Sequence, residues 1–427
     1  MTIKNAPSGT IRAALRYPTF RWLLSALAVS QVGDWLYNLA LVVLVYDRTH
    51  SAAWAGVTTA ARVVPVVALG PLGGVLADRF DRRRIMIVSD VARMGLMVLL
   101  AAVAAARLPI LLAPLIAATA TAAAAPYLPC VAAVTPRVVD DADLPGANAA
   151  RSAVAGLGII VGPALGGLLL LLGSPAFAFA LNAVTFGLSA LALLAIRADG
   201  AFATRRAPGQ LSGATSLFRE IAEGAAALRA HPVALRLVGA DIMCSTLYGT
   251  QTVLLLIVAR GLGLGAQGYG YLFAAIGVGG LLGTALAGRA SRVCRPRLVL
   301  AGALLAAGLP TMLLAVTRWP AAAIVLTGLT GMGALLVEIM TDTGLQRMLD
   351  EDVFGRAYGL AIPASLGGIV AGSLIAPVLA AALGGSGALV AVGGAVLAYA
   401  ALVLRTPAAS RGTLSSAPVV ASAAASR

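Results

Sequence analysis

The amino-acid sequence predicts an all-α membrane protein whose twelve transmembrane helices form two pseudo-symmetric six-helix bundles. Three observations lead to this fold class: an apolar composition, a series of apolar runs long enough to cross a bilayer, and an alternation of basic and nearly neutral connections. The 427 residues are 60% hydrophobic and 11% charged, whereas an ordinary soluble protein is about 25% charged. A soluble domain of this length could not bury so much apolar surface, so we expect lipid to surround much of it.

Apolar runs of about 20 residues, the length of a spanning helix, occur six times on either side of a polar stretch. The first six lie near residues 20–46, 52–77, 85–106, 109–134, 148–172 and 174–196. The second six lie near residues 233–259, 267–289, 297–316, 320–344, 357–383 and 387–404. The predicted organisation is therefore an N-terminal bundle at 1–197, a cytoplasmic linker at 198–232 with an amphipathic helix at 216–230, a C-terminal bundle at 233–405 and a disordered tail at 406–427.

Arginine is concentrated in every second connection, which indicates how the chain is oriented. The N-terminus and the second, sixth and eighth connections are rich in arginine, whereas the odd-numbered connections hold about one each: Arg48, Arg107, Arg260 and Arg318. Positive charge favours the cytoplasmic side, so the pattern predicts a multi-pass protein of the bacterial inner membrane with both termini in the cytoplasm. The net charge of +14 is spread over these short loops, and we therefore expect no nucleic-acid partner.

The second connection carries a recognisable motif. Residues 74–84 read GVLADRFDRRR, which resembles the signature between helices 2 and 3 of the major facilitator superfamily, with Asp81 where that pattern has glycine. The resemblance implies a cytoplasmic gate in which Asp78 faces the positive N-terminal end of helix 11. The gate residues are then Gly74, Asp78, Arg79, Arg82, Arg83, Gly355 and Arg356. The alternative is that the loop serves only to orient the chain.

A second motif lies in the fifth apolar run. Its residues Gly158, Gly162, Pro163 and Gly166 resemble the fifth-helix motif of the exporters in this superfamily. Small residues let helices approach closely and proline bends a span; generic glycine-rich packing is the alternative. With further stretches along the chain, the sequence is similar to the exporter branch that includes macrolide-efflux and enterobactin-exporter proteins. That resemblance implies a monomeric secondary transporter that works by alternating access.

Charged residues within spans are costly and are therefore functional candidates. Asp34 in the first span and Asp241 in the seventh are repeat counterparts, and Glu338 lies in the tenth. Burial disfavours an ionised carboxylate, so we predict that these three acids carry the coupling protons. Arg62 is the expected partner of Asp34, and Asp90 can pair with Arg93 three residues later. The alternative for each is a structural ion pair or a position at a water-exposed helix end.

The predicted substrate cavity combines the intramembrane charges with polar and aromatic residues near them. Its members are Gln31, Asp34, Tyr37, Asn38, Arg62, Tyr248, Gln251 and Glu338. No phosphate-binding loop, metal-ligand spacing or nucleophile elbow is present in the sequence, so we expect no enzyme activity, no cofactor and no metal. The leading hypothesis is proton-coupled efflux of amphipathic small molecules, like that of drug exporters; an importer or a siderophore or lipid carrier on the same fold is the alternative.

Overall fold

The computed structural model describes residues 8–172, 174–196, 200–203, 226, 229, 231–290, 296–349 and 351–405. The predicted tail at 406–427 and, apart from residues 226 and 229, the predicted amphipathic helix at 216–230 lie outside the described residues. Among the gate and helix-5 residues, the same holds for the side chains of Asp78, Pro163 and Arg356 and for the surroundings of Gly355.

The described part of the chain is helical and contains no strand. After a short turn of helix at Ile11–Ala14, the first half comprises α1 (Pro18–Thr49), α2 (Ala52–Arg79), α3 (Arg82–Ala105), α4 (Leu112–Ala124 and Tyr127–Val138), α5 (Leu144–Leu172) and α6 (Pro175–Ala195). The second half comprises α7 (Pro232–Gly261), α8 (Gly265–Ala290), α9 (Pro296–Leu314) and α10 (Pro320–Met348), followed by the helical stretch Glu351–Arg405.

The last stretch contains two helices. Gly384 has a φ of 72° and a ψ of 167°, a backbone conformation that favours glycine, and it separates α11 (residues 351–383) from α12 (residues 385–405). Ten apolar helical stretches in the described residues are long enough to cross a membrane, and one of them holds both α11 and α12. Counted separately, α11 and α12 bring these stretches to eleven helices, and α5 is the twelfth. This is the number of helices that the sequence predicts.

Local sequence explains where several helices begin. The Ser51 side chain accepts a hydrogen bond from the Trp54 amide at the start of α2, and Asp81 accepts one from the Arg84 amide at 2.9 Å at the start of α3. Both are N-caps, which satisfy amides that the first turn leaves free. The second connection is therefore a tight turn between two spans.

The two halves pack by the same plan. In the first half, α6 packs on α1 and α3, α1 on α5, and α4 on α2 and α3. In the second half, α9 and α10 pack together, α10 packs on α8, and the α11–α12 stretch packs on α7 and α9. Between the halves, α2 contacts α11 and α5 contacts α8. In a six-helix repeat α2 corresponds to α8 and α5 to α11, so the two contacts are equivalent. The structure confirms two six-helix bundles related by a parallel repeat.

The bundles meet at one end, which we call the outer end. There Asp47 at the end of α1 forms an ion pair with Arg260 at the end of α7. Nearby, Gly56 of α2 packs on α11, where a Cβ added to it would lie 3.0 Å from Pro377. These contacts hold the outer ends of the two bundles together.

The same two helices part towards the other, inner end. Gly74 lies 18 residues after Gly56, five turns along the same face of α2, and Gly359 lies 18 residues before Pro377 on α11. Among the described residues, and apart from the adjacent backbone of the same helix, no heavy atom lies within 4 Å of a Cβ built at Gly74 or at Gly359. Contact between α2 and α11 is therefore close at the outer end, at Gly56, whereas Gly74 and Gly359 meet no described neighbour at the inner end.

Candidate functional site

The centre of the N-terminal bundle holds a buried charge network. Nη1 of Arg93 on α3 lies 3.6 Å from Asp34 on α1, and its Nη2 donates to Asp90 at 2.6 Å. Asp90 is fully buried and also accepts a hydrogen bond of 2.6 Å from Ser189 on α6. A buried carboxylate needs such partners because an unpaired one would be very costly. One guanidinium therefore bridges two carboxylates.

Aromatic rings enclose this guanidinium. The Arg93 Cζ atom lies 4.2 Å from the ring centroid of Phe186 and 4.9 Å from that of Tyr127. The Tyr127 hydroxyl lies 3.3 Å from Ser189 Oγ, which continues the network to α4. The rings hold Arg93 by cation–π contact, and four helices converge on it.

A cavity of about 240 Å³ opens beside this network. Five of the predicted cavity residues line it: Gln31, Asp34, Tyr37, Asn38 and Arg62. Arg93 and the apolar side chains of Trp35, Met97 and Phe186 also line it. Arg93, and not the expected Arg62, is the cation within 4 Å of Asp34, although the charge of Arg62 also acts on that carboxylate. Arg93 occupies this place because α3 packs between α4 and α6 with the Asp90–Arg93 face directed inwards.

The C-terminal bundle presents carboxylates on its wall of the central space. Asp241 on α7 accepts a hydrogen bond of 2.5 Å from Ser365 on α11. Glu338 on α10 is exposed and lies close enough to Asp241 and Asp342 for their charges to interact. Since an exposed charge cannot face lipid at this depth without great cost, Glu338 faces the central opening.

The two remaining cavity residues lie further towards the outer end of α7. Tyr248 packs edge-to-face on Phe273 of α8, with 6.0 Å between ring centroids. Gln251 is 2% exposed, and its Nε2 atom has no hydrogen-bond partner among the described residues. Both lie in the C-terminal bundle, whereas the cavity beside Arg93 belongs to the N-terminal one.

The helix-5 glycines pack against α1 next to Asp34. A Cβ at Gly158 would lie 3.4 Å from Gln31, and one at Gly166 would lie 3.6 Å from the Cα of Leu36. At Gly162 it would collide with Trp35. The motif therefore lets α5 approach the face of α1 that carries the predicted cavity residues.

The arginines predicted for the gate differ in their surroundings. Arg83 donates to the carbonyl oxygens of Leu193 and Leu194 at 2.9 and 2.8 Å, which satisfies the free carbonyl groups at the end of α6. Arg82 is buried and donates to Ala203 at 3.2 Å, while Arg79 is exposed. Arg83 thus ties the start of α3 to the end of α6, and Arg82 ties it to the segment after α6.

Sequence reasoning did not identify the roles of Ser189, Tyr127 and Ser365. The spacing of Asp90 and Arg93 predicted their local pairing, which the structure confirms. A hydroxyl group in an apolar helix gives no such signal, because serine and tyrosine also occur in spans as packing residues. Among the described residues, no group of three or more His, Cys, Asp or Glu side chains could hold a metal ion.

Two six-helix bundles that enclose a polar, charged central space define the class of secondary membrane transporters. The chain belongs to the transmembrane secretion effector family of the major facilitator superfamily, whose pattern matches residues 9–421. This confirms the superfamily that the motifs indicated, and the family is one of membrane transporters rather than enzymes.

Named relatives support the same assignment. The chain is 28% identical over 271 residues to the uncharacterized MFS-type transporter YfiS of Bacillus subtilis (strain 168); the match covers 62% of this chain and 63% of the relative, so the chain spans less than two thirds of its length. It is 26% identical over 387 residues to the enterobactin exporter EntS of Escherichia coli O1:K1 / APEC, covering 88% and 90%.

The fold also matches a solved structure. A POT family transporter in complex with 5-aminolevulinic acid superposes with a TM-score of 0.74 at 12% identity, covering 95% of this chain and 98% of that one. At this identity the likeness concerns the fold alone.

Proposed function

We propose that this protein is a proton-coupled secondary transporter that exports amphipathic small molecules by alternating access. It works as a monomer in the bacterial inner membrane, with both termini in the cytoplasm. The observation that carries the proposal is the pairing of Asp34 with Arg93 at 3.6 Å beside a polar cavity. Asp34 borders that cavity and shares its cation with Asp90, so it is the carboxylate that can exchange its counter-ion for a proton.

The coupling follows from the cost of an unpaired charge in a low-dielectric site. When Arg93 moves away from Asp34 and keeps its hydrogen bond to Asp90, Asp34 needs another positive partner, and a proton supplies it. A change in the distance between α1 and α3 therefore changes the proton occupancy of Asp34. Glu338 and Asp241 face the same central space from the other bundle and serve as further proton carriers.

The description of the family and the name of one relative favour export over import. The family is described as transmembrane secretion effectors, and the relative that covers 88% of this chain is named as an enterobactin exporter. A cavity lined by Trp35, Met97 and Phe186 as well as by charges suits a molecule with an apolar body and polar groups. An importer, or a siderophore or lipid carrier on the same fold, remains the alternative.

Transport in inverted membrane vesicles tests this function. An imposed pH gradient, acidic inside, should drive ethidium into vesicles that contain the wild-type protein and not into empty ones. Asp34→Asn mimics the permanently protonated carboxylate and should abolish gradient-driven uptake while passive exchange persists. Asp141→Asn, which changes an exposed aspartate between α4 and α5, should behave as wild type. Equal gradient-driven uptake by Asp34→Asn and wild type would exclude Asp34 and move the test to Glu338.

Single-cysteine labelling tests the orientation. With the natural cysteines replaced by serine, cysteines placed at Arg205 and at Gly173 should react with an impermeant reagent from opposite sides of the membrane. Labelling from the same side would contradict the twelve-span topology.

A further inference from the structure

Asp34 and Asp90 share one guanidinium but differ in their hydrogen bonds and in their exposure. Asp90 accepts hydrogen bonds of 2.6 Å on both oxygens, on Oδ1 from Nη2 of Arg93 and on Oδ2 from the hydroxyl group of Ser189. Oδ2 of Asp34 lies 3.6 Å from Nη1 of Arg93, and Asp34 accepts no hydrogen bond from the described residues. The Asp90 side chain is 0% exposed and that of Asp34 is 33% exposed. The two carboxylates therefore share the cation under unequal conditions.

Burial and hydrogen bonding act in opposite directions on Asp90. Removal from water disfavours the charged form of a carboxyl group, and Asp90 is the more deeply buried of the two acids. Hydrogen bonds that are donated to the charged form favour it, and such charge-assisted bonds are stronger than those between neutral groups. The donors around Asp90 thus determine which of the two acids holds a proton.

The hydroxyl groups next to Asp90 form a chain with a favoured direction. Ser189 has a single hydroxyl hydrogen and donates it to Asp90. Its oxygen lies 3.3 Å from the Tyr127 hydroxyl, so Tyr127 is the donor in that contact. Both side chains are buried. In the reversed chain a protonated Asp90 would donate to Ser189 and Ser189 to Tyr127, and the tyrosine hydrogen would then have no acceptor among the described residues. Since an unsatisfied buried donor is costly, the chain favours an ionised Asp90.

Tyr127 acts on this network with its ring as well as with its hydroxyl group. The Arg93 Cζ atom lies 4.9 Å from the centroid of that ring, and cation–π contact holds the guanidinium there. Asp90 then keeps the short hydrogen bond to Arg93, and Asp34 has the same cation only at the longer distance.

Few other charges lie near the network. α6 contains no charged residue, and the single charge of α5, Arg151, lies seven residues before Gly158, which is about two turns. Asp34 is the only carboxylate among the described residues that line the cavity. The charged or titratable side chains that face the network and its cavity are Asp34 and Tyr37 of α1, Arg62 of α2, Asp90 and Arg93 of α3, and Tyr127 of α4.

We propose that Ser189 and Tyr127 are positioning residues that keep Asp90 ionised and thereby assign the exchangeable proton of the network to Asp34. Asp90 is then a fixed anion that retains Arg93, and Asp34 is the acid whose charge changes. Neither Ser189 nor Tyr127 lines the cavity, so they act through Asp90 and Arg93 and not on a substrate. The inference rests on the proposed proton coupling and names the groups that place its proton.

Infrared spectroscopy of the protein in liposomes measures where the proton binds, without any transport. A protonated carboxyl group absorbs at a different frequency from a carboxylate, so stepwise acidification shows proton uptake as a growing carbonyl band. Differences between wild-type and variant spectra isolate the band of one residue. Asp34→Asn should remove a band that is still present in Asp90→Asn. In Asp90→Asn this band should appear at lower pH, because Arg93 then pairs with Asp34 alone.

Ser189→Ala should move the proton from Asp34 to Asp90. Without the donor, Asp90 takes up the proton first and releases Arg93 to Asp34. The first band to appear on acidification should then survive the additional replacement Asp34→Asn and be lost with Asp90→Asn. Uptake by Asp34 should shift by at least about one pH unit towards acid, a tenfold change in proton affinity.

Two further variants separate the hydroxyl chain from packing. Tyr127→Phe keeps the ring beside Arg93 and removes only the hydroxyl group, so it should give a smaller change in the same direction as Ser189→Ala. The matched control is Ser373→Ala in α11. Ser373 is also fully buried, but its hydroxyl group donates to the Val370 carbonyl oxygen of its own helix. This variant should leave the spectra unchanged.

Three results would overturn the inference. The first is a Ser189→Ala band that is still lost with Asp34→Asn and appears at the wild-type pH, because Ser189 then only fills space. The second is a wild-type band that is lost with Asp90→Asn and not with Asp34→Asn. The third is that neither aspartate titrates over the pH range in which the protein stays folded.

The proposed function can fail separately. If the proton binds as expected but an imposed pH gradient drives no uptake of ethidium, proton coupling is wrong and the placement of the proton stands. If the gradient drives uptake and Ser189→Ala changes neither the band nor the uptake, the coupling stands and the positioning role of Ser189 is wrong.

Discussion

Asp47 and Arg260 join the last turn of α1 to the last turn of α7, and with them the two bundles. Arg260 also stacks on Tyr46, with its Cζ atom 4.8 Å from the ring centroid. Both charged side chains are partly exposed, 35% for Arg260 and 45% for Asp47, so solvent weakens the pair. We interpret it as a latch that favours the state closed at the outer end.

Removing the latch should shift the protein towards the state open at the outer end. Exposed ion pairs contribute about 0.2–1 kcal/mol, so Asp47→Asn should change the ratio of the two states by up to about fivefold. Arg260→Gln should shift it further, since it also removes the contact with Tyr46. Spin labels at Gly74 and Gly359 report the change, because the inner ends of α2 and α11 approach each other when the outer end opens.

Charge reversal provides the control for the latch. The double variant Asp47→Arg/Arg260→Asp restores an ion pair of opposite polarity and should recover most of the wild-type distance distribution. The effect of either single variant should shrink at high salt. An unchanged distribution in Arg260→Gln would show that apolar packing alone holds the outer end.

The network around Arg93 should respond much more strongly than the latch. Arg93→Gln leaves Asp90 fully buried without its cation, and removal of one partner from a buried pair costs about 3–5 kcal/mol. Thermal unfolding in detergent should show a large loss of stability. Arg93→Gln combined with Asp90→Asn should lose less than the sum of the single losses, because no charge is stranded at Asp90. Strictly additive losses would mean that the two residues do not interact.

The fold followed from the sequence to a large extent because its main signals are local. Twelve apolar runs and the alternation of arginine predicted the spans, and the predicted sixth run at 174–196 agrees closely with Pro175–Ala195. The predicted fourth span contains a break between Ala124 and Tyr127 that hydropathy did not reveal, since residues on both sides of it are apolar. Hydropathy measures burial in lipid and not the continuity of a helix.

The site was less predictable because it depends on how helices face each other. Spacing alone paired Asp90 with Arg93, which lie on one helix. It could not show that α3 turns Arg93, and not Arg62 of α2, towards Asp34 of α1. That choice depends on the rotation of α1, α2 and α3 about their axes, which packing between distant parts of the chain determines.

A close helix crossing next to Asp34 gives a stability prediction with a matched control. A Cβ at Gly33 of α1 would collide with Asn182 and Thr185 of α6, whereas one at Gly95 of α3 meets nothing within 4 Å. Overpacking costs about 1–3 kcal/mol, more than the roughly 1 kcal/mol by which alanine favours a helix over glycine. Gly33→Ala should therefore lower the melting temperature in detergent, and Gly95→Ala should leave it unchanged or raise it. Equal effects at both positions would contradict the close α1–α6 contact.

A second charge cluster fastens the N-terminal segment to the connection between α4 and α5, outside the spans. Asp143 accepts a hydrogen bond from the Gly9 amide at 2.9 Å and another from Arg16 at 3.0 Å. The Tyr17 hydroxyl donates to Asp140 at 2.8 Å and to Asp143 at 3.1 Å. The hydrogen bond from Gly9, followed by those from Arg16 and Tyr17, lowers the pKa of Asp143. The hydrogen bond to Asp140 and partial burial raise the pKa of Tyr17.

These shifts determine how the attachment of the N-terminal segment depends on pH. A carboxylate whose pKa is lowered in the folded state stabilises that state above its unfolded pKa of about 3.9, and this contribution is lost as pH falls through the lowered value. The raised pKa of Tyr17 has the opposite sign, so its contribution is present below about pH 10 and is lost only above it. The segment should thus stay attached from about pH 5 to pH 9 and detach in strong acid.

The mobility of a spin label at Ser8 measures this attachment. In the wild type the mobility should be low and constant across that range and rise below about pH 4. In Asp143→Asn it should be raised at every pH, whereas Tyr17→Phe should keep the acid transition. A wild-type segment that becomes mobile between pH 7 and pH 5 would show that Asp143 does not hold it.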